Sequence, residues 1–317
     1  MLNKTTLTKI GLDKYLENGV LKALRTSKKL CIDVGLSEVA PYSATWLLND
    51  PDRCVIGIEP LEYNWECLEG KHDDGKDDPA DGWAAIRLGA QEDESKKVKT
   101  WSGFNAGQEL SVENRFFGLR CAIDDVKEPV EKDFYHMSDP GNSSLLSPTE
   151  KHPGSIKKIE RVQCVSLQHI FSHIDWRQFG IIEHLKVDCE GKDLQVIQSA
   201  GKWIKGVLFV TMEMSENNTG HNVGEYNWDE AVRYMNENGF EMIRTDGGNT
   251  IWMNSLFADQ TRYMNYHRYS GCAVTHPNSG LLLNFANPFV VNPDTGLTYW
   301  CDNLFEASTL QIEPRRE

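Results

Sequence analysis

Short apolar runs that end in an acid or a turn, each followed by a helical pattern, constrain this chain more than any other feature. Residues 30–34, Leu-Cys-Ile-Asp-Val, close on Gly35, and helical spacing over 43–48 stops at Asn49-Asp-Pro51. Residues 54–58, Cys-Val-Ile-Gly-Ile, close on Glu59-Pro60, and 65–68 open another helix. Strand-like runs recur at 83–88, 185–188 and 207–212, and helical ones at 191–204 and 229–238. Residues 240–244 and 250–254 flank Asp246-Gly247-Gly248, a hairpin signal. Strands alternating with helices predict an α/β fold: a mostly parallel sheet with helices on both faces and one antiparallel strand contributed by the terminal hairpin.

Almost a hundred residues separate the expected third strand, 83–88, from the expected fourth at 185–188, too many for a structureless loop in a compact domain. Strand candidates at 116–123 and 162–167, with Ser166 capping a short helix through Phe171, predict an insertion over about 99–175 between strands 3 and 4. Before the sheet, residues 1–28 read as a helical lead-in, with Ile10, Tyr15, Leu16, Leu21 and Leu24 at helical spacing. The charged stretch 71–82 reads as a solvated loop. Residues 29–256 form the main domain, and 257–317 hold too many aromatic side chains for a disordered tail, so an arm packed on the core is expected.

A formal charge of −14 repels phosphate backbones and argues against nucleic acid. The 8 cysteines are scattered without a C-x-x-C pair, which fits buried thiols in a reducing compartment better than zinc or disulfides. No run approaches the roughly 18 apolar residues of a spanning helix, and charges occupy the first residues where a signal peptide is apolar. The expectation is a cytoplasmic protein without membrane partners.

In sheets of this kind ligands bind beyond the carboxyl ends of the strands. Asp33-Val-Gly35 followed by Glu59, 26 residues after Asp33, has the layout of an adenosine-binding unit, although a buried strand end and a tight turn would look the same. Leu36 and Val39 stand where a dinucleotide's pyrophosphate needs glycines, so NAD and FAD are disfavoured, while S-adenosylmethionine, lacking a pyrophosphate, tolerates them. A second constellation, His184-Leu-Lys-Val-Asp-Cys-Glu-Gly191, places Lys186, Asp188 and Glu190 around the fourth strand's end, with Glu213 at the end of the fifth. Three acids would converge on one mouth. Burying Lys186 and Asp188 on one face is costly unless they pair, and a helix start after Glu190 favours ionised carboxylates acting as acceptors or metal ligands.

These motifs resemble the FkbM-type S-adenosylmethionine-dependent methyltransferases, whose hallmark is similar to Leu185-Lys-Val-Asp-Cys-Glu-Gly191 followed by Asp193-Leu-Gln-Val-Ile197. Ile32-Asp-Val-Gly35, Gly57-Ile-Glu-Pro60 and Asn142-Ser-Ser-Leu145 match as well, while Ser37 and Val39 replace the usual Asn and Gly. The resemblance implies a seven-stranded, Rossmann-like class I methyltransferase sheet and methylation of a hydroxyl on a sugar or other small metabolite. On this reading Glu59 takes the ribose, Asp33, Gly35 and Ser37 the methionine side, and Gly89 with Ala90 the adenine. Lys186, Asp188, Glu190 and Glu213 orient the acceptor and receive its proton, and the three acids are able to hold a divalent cation. The expected partners are a small-molecule or glycan acceptor and, for assembly, a second copy of the chain. Rival readings are a methyltransferase-fold binding module without turnover, motivated by Val39, and a nucleotide-dependent oxidoreductase.

Weaker signals favour bland readings. His169 and His173 are spaced as a helical metal pair but have no marked third ligand, so solvated helix histidines are expected. Arginine and tyrosine interleave over 261–271, which reads as part of a packed arm.

Overall fold

A computed structural model describes residues 2–24, 26–27, 29–69, 71, 84–87, 97–100, 109–112, 114–214, 220–246, 248–255, 289–291 and 298–300. Its centre is a seven-stranded sheet built from β1 (Lys29–Val34), β2 (Arg53–Ile58), β3 (Phe116–Leu119), β7 (Ile182–Val187), β8 (Val207–Glu213), β9 (Phe240–Asp246) and β10 (Asn249–Asn254). Strands β4 (Ala122–Ile123), β5 (Val130–Met137) and β6 (Ile156–Val165) form a separate three-stranded sheet between β3 and β7. The main sheet runs β9-β10-β8-β7-β1-β2-β3, and β10 is antiparallel to both of its neighbours. This is the mostly parallel, seven-stranded sheet with a terminal antiparallel hairpin that the sequence predicts.

Alternation along the strands sorts side chains onto two buried faces. Leu30, Ile32 and Val34 of β1, Cys54, Ile56 and Ile58 of β2, and Phe117 and Leu119 of β3 enter one cluster. It also takes Ile10 of α1 (Lys4–Ile10), Phe171 of α4 (Leu167–Phe171), Phe179 of α5 (Trp176–Phe179), Leu194 of α6 (Asp193–Gln198) and Met235 of α7 (Trp228–Glu237). Cys31, Val55 and Phe116 point the other way, against Trp46 and Leu47 of α2 (Pro41–Asn49) and Trp65 and Leu68 of α3 (Glu62–Leu68). Strands buried on both faces read as unbroken apolar runs, which is why β1, β2, β7 and β8 are recognisable without tertiary information. The amino ends of β2 and β7 are stapled by a buried ion pair, Arg53 Nη2 to Glu183 Oε2 at 2.8 Å.

Four expectations need correction. The strand that borders β2 is β3, not the run at 83–88; Ala84–Arg87 instead pairs antiparallel in a small sheet with Lys97–Thr100, which pairs with Glu109–Ser111. Phe116–Leu119, expected inside the insertion, is therefore an edge strand of the main sheet, and the insertion between strands 3 and 4 begins after it. The lead-in is α-helical only to Ile10, where Gly11 caps α1 at φ 74; a 3-10 turn covers Asp13–Tyr15, and Asn18 (φ 53) and Gly19 (φ 83) then turn a hairpin between Leu16–Glu17 and Val20–Leu21. Two successive left-handed residues are the signature of the tight hairpin turn that Asn-Gly favours. The helix read over 191–204 is split: α6 ends at Gln198 and a 3-10 turn covers Gly201–Gly206.

The loop at 72–82 lies outside the described residues, as does most of the arm, of which Phe289–Val291 pairs antiparallel with Thr298–Trp300. Among the described residues no helix is long and apolar enough to cross a membrane.

Candidate active site

The carboxyl ends of β1, β2 and β7 open into a cleft of about 610 Å³, open solvent included. Gly35, Ser37, Glu59, Asn64, Asp188, Glu190 and Lys192 line it beside apolar Ile58, Leu61, Ala122, Ile123 and Phe134.

The first turn is compact because it has to be. Gly35 sits at φ +83 and a Cβ there would lie 2.0 Å from the Asp188 carbonyl oxygen. That proximity joins the ends of β1 and β7, where the Asp188 amide donates to Val34 O at 3.1 Å. Ser37 and Ala40 follow at φ 56 and 51, left-handed for non-glycine residues. Leu36, which stands where a dinucleotide site has glycine, turns into the core at 1 % exposure, and Val39 is not among the residues lining the cleft.

Lys186 and Asp33 lie beneath this floor instead of lining it. Lys186 Nζ donates to Gly35 O at 2.7 Å and stands 3.4 Å from Asp33 Oδ1 and 3.3 Å from Asp188 Oδ2. Burial opposes its charge, but the Asp188 and Asp33 carboxylates outweigh that and hold its pKa above the usual lysine range. Asp33 Oδ2 accepts from the Ser43 amide at 3.1 Å and hydroxyl at 2.6 Å, tying β1 to α2. Burial raises the Asp33 pKa, against the pull of Lys186 and Ser43. Both residues position the turn; neither reaches the cleft.

Glu59 does reach it. Its Oε1 accepts from the Leu61 amide at 2.8 Å, and its backbone carbonyl accepts from Trp65 Nε1 at 2.8 Å. Burial pushes its carboxyl up to about 7, opposed by the Leu61 amide, the Asn64 side chain, the Ser37 backbone and the Lys186 charge.

Asp188 and Glu190, which line the cleft, and Glu213, at the end of β8, offer carboxylate oxygens that all lie within 4.8 Å of one another. Glu190 (φ 50) and Gly191 (φ 94) make a left-handed pair between β7 and α6. Strain of this kind persists only where surroundings over-determine it. Here Ser144 Oγ and Asn222 Nδ2 each donate to Glu190 O at 3.1 Å, and the Tyr226 amide donates to Gly191 O at 3.2 Å. Behind them Asp193 is fully buried, with neither carboxylate oxygen in good hydrogen-bonding geometry.

Burial and mutual repulsion dominate these acids. Burial, then Asp188 and Asp193, raise Glu190 to about 8. Burial, then Asp188, raise Asp193 to about 8. Burial, then Asp188 and Glu190, raise Glu213 to about 9. For Glu190 the helix start does not prevail, because a six-residue helix supplies only a partial positive charge against burial and several crowded acids.

A pH dependence of stability follows. Each of these groups, with Glu59, has a folded pKa above its unfolded value near 4, so the folded state holds protons that the unfolded chain has released. Stability is fullest below that unfolded value and falls as pH rises through about 7, 8 and 9. Urea midpoints of the ligand-free protein should therefore be lower at pH 8.5 than at pH 6; a midpoint that climbs across this window would contradict the burial of these carboxyls.

Gly89 and Ala90, assigned to the adenine, lie outside the described residues, and the strand before them is not in the main sheet. The place beyond the true third strand belongs to Cys121, Ala122 and Ile123, all lining the cleft. Sequence reasoning also missed Asn64, Lys192 and Asp124, whose Oδ1 and Oδ2 accept from Lys192 and Lys132, each at 2.6 Å. The Asn142-Ser-Ser-Leu145 stretch does reach the site, through Ser143 and Leu145, which face the cleft. His169 and His173 bind no common ligand among the described residues. His169 closes a capping box with Ser166, and His173, expected to be solvated, is buried with Nδ1 2.8 Å from Gly19 O.

The family model of the methyltransferase FkbM domain matches residues 49–242, more than half of the chain. The chain belongs to the FkbM methyltransferase family. Membership implies S-adenosylmethionine as the methyl donor. The FkbM match begins within α2, after the glycine turn at Gly35, and ends within β9, so the turn stands on its geometry alone. No curated protein and no solved structure matches the chain significantly. The residues fit the donor: Glu59 lines the cleft, and its carboxyl can accept from ribose hydroxyls.

Proposed function

We propose that this FkbM protein is an O-methyltransferase acting on a hydroxyl of a sugar-like or other small acceptor. One observation carries the reading: the Asp188, Glu190 and Glu213 carboxylates gather within 4.8 Å of one another, and Asp188 and Glu190 line the same cleft as Glu59. When bound, S-adenosylmethionine supplies a methyl group on a sulfonium, which leaves by in-line displacement. The protein's part is to hold and dehydrate the two reactants and to take the acceptor's proton. Carboxyls raised to about 8 and 9 are stronger bases, once ionised, than ordinary carboxylates. The methyl passes from sulfur to the acceptor oxygen, the hydroxyl proton passes to the Asp188, Glu190 and Glu213 group, and S-adenosylhomocysteine is left.

The same three carboxylates are the group in which a divalent cation would sit, as hard oxygen ligands around a hard ion. Such an ion would acidify the acceptor hydroxyl. The arm and a second copy of the chain are candidates for completing the acceptor pocket.

The test uses S-adenosylmethionine labelled in its methyl group, a panel of sugars and small polyols, and magnesium or chelator. Release of S-adenosylhomocysteine with label in an ether linkage supports the reading. Label on nitrogen or sulfur overturns O-methylation. Binding of the donor without transfer to any acceptor would make the protein a binding module.

A further inference from the structure

The cleft contains one polar atom that nothing above explains. Asn64, in α3, is 2 % exposed and lines the cleft, and its Oδ1 has no hydrogen-bond partner among the described residues. Its side chain lies near enough to Glu59 to favour the ionised carboxylate, which an amide N–H does and an amide oxygen does not. The amide is thereby oriented: Nδ2 goes to Glu59 and Oδ1 is left as a buried acceptor, which is costly unless a donor arrives.

We propose that Asn64 Oδ1 accepts a hydrogen bond from one ribose hydroxyl of the cofactor while Glu59 accepts from the other. The inference rests on S-adenosylmethionine being the ligand of this cleft. Two acceptors on residues that line one cleft, a carboxylate and an unpartnered amide oxygen, call for two donors on the ligand. A vicinal diol presents that pattern; the ring nitrogens of adenine, being acceptors, do not. Glu59 therefore sets the charge of the subsite, and Asn64 makes it specific for a diol over a single hydroxyl.

The experiment measures binding of S-adenosylhomocysteine and of its 2′-deoxy and 3′-deoxy analogues by calorimetry. Wild-type protein is compared with Asn64→Leu, whose fold is checked by circular dichroism. The substitution should weaken S-adenosylhomocysteine about tenfold, and weaken by less than about twofold the one analogue that lacks the hydroxyl Asn64 reads. An equal loss on all three ligands would show that Asn64 acts only by holding Glu59, and would overturn the proposal, as would no loss at all.

Wild-type protein supplies an independent check should the variant fold poorly. Both deoxy analogues should bind the wild type several-fold more weakly than S-adenosylhomocysteine, each having lost one of the two hydrogen bonds. Undiminished affinity for either analogue would also overturn the proposal. No binding of S-adenosylhomocysteine by the wild type would instead remove the cofactor assignment, and this inference with it.

Discussion

Replacing Gly35 by alanine is expected to destabilise the protein by more than about 3 kcal/mol and to remove cofactor binding. Two penalties add. At φ +83 a side chain adopts the left-handed region at a cost of about 1–2 kcal/mol. The new methyl would also meet the Asp188 carbonyl oxygen at 2.0 Å and its carbon at 3.1 Å, both backbone atoms with nowhere to turn. Relief requires β1 and β7 to part at their carboxyl ends, which breaks the Asp188 amide to Val34 O bond and shifts Gly35 O off Lys186 Nζ. Overpacking of this kind costs about 1–3 kcal/mol more. Gly19 provides the control: it has the same φ of +83, but a Cβ there would meet no atom within 4 Å, so alanine should cost only about 1 kcal/mol. Urea unfolding of both variants decides the matter. Equal losses would mean that the contact with Asp188 contributes nothing.

Asp188→Asn and Glu190→Gln are expected to keep cofactor affinity within about threefold while turnover falls by about 10²–10⁴, the range of general acid–base catalysis. Each substitution preserves shape and removes the charge that receives a proton. The fold should survive both. With Asp188 neutral, Lys186 still has Asp33 at 3.4 Å and Gly35 O at 2.7 Å, so no buried charge is left alone. The Glu190 backbone is held by Ser144 and Asn222, whose bonds go to its carbonyl and do not depend on its side chain. Calorimetry with S-adenosylhomocysteine and rates of its release, measured on the same variants, separate the roles. Parallel loss of binding and rate would move these acids into cofactor recognition, and an unchanged rate would make them structural.

Much of this protein was open to inference from the chain alone. Strands β1, β2, β7 and β8 announce themselves because a strand buried on both faces must be apolar at nearly every position, and the acids at their ends stand out against that background. The family motif at Leu185 to Gly191 was legible for the same reason, since Lys186, Asp188 and Glu190 interrupt or close such a run. Ser166 as a helix cap and the terminal hairpin were local signals, and local chemistry produced them. Asn18-Gly19 is an equally local hairpin signal, but the apolar spacing from Ile10 to Leu24 led to a helical reading of that segment.

What the tertiary structure alone decided concerns pairing and environment. Phe116–Leu119 and Ala84–Arg87 are both four-residue strands, and nothing within either run says which one hydrogen-bonds to β2. Asn64, Lys192 and Asp124 carry no motif; they matter because folding brings α3, the start of α6 and the end of β4 to one cleft. Protonation is the clearest case. Glu190 and Glu213 have the same intrinsic acidity as any glutamate, and the helix start after Glu190 argued for ionisation of Asp188 and Glu190. Burial with Asp188, Asp193, Asp139 and Glu225 lifts Glu190 to about 8, and burial with Asp188, Glu190 and Asp193 lifts Glu213 to about 9, so that charges near in sequence act together with charges that only folding brings close. A residue type and its strand end are properties of the chain, whereas a pairing partner and a local dielectric are properties of what folding places nearby.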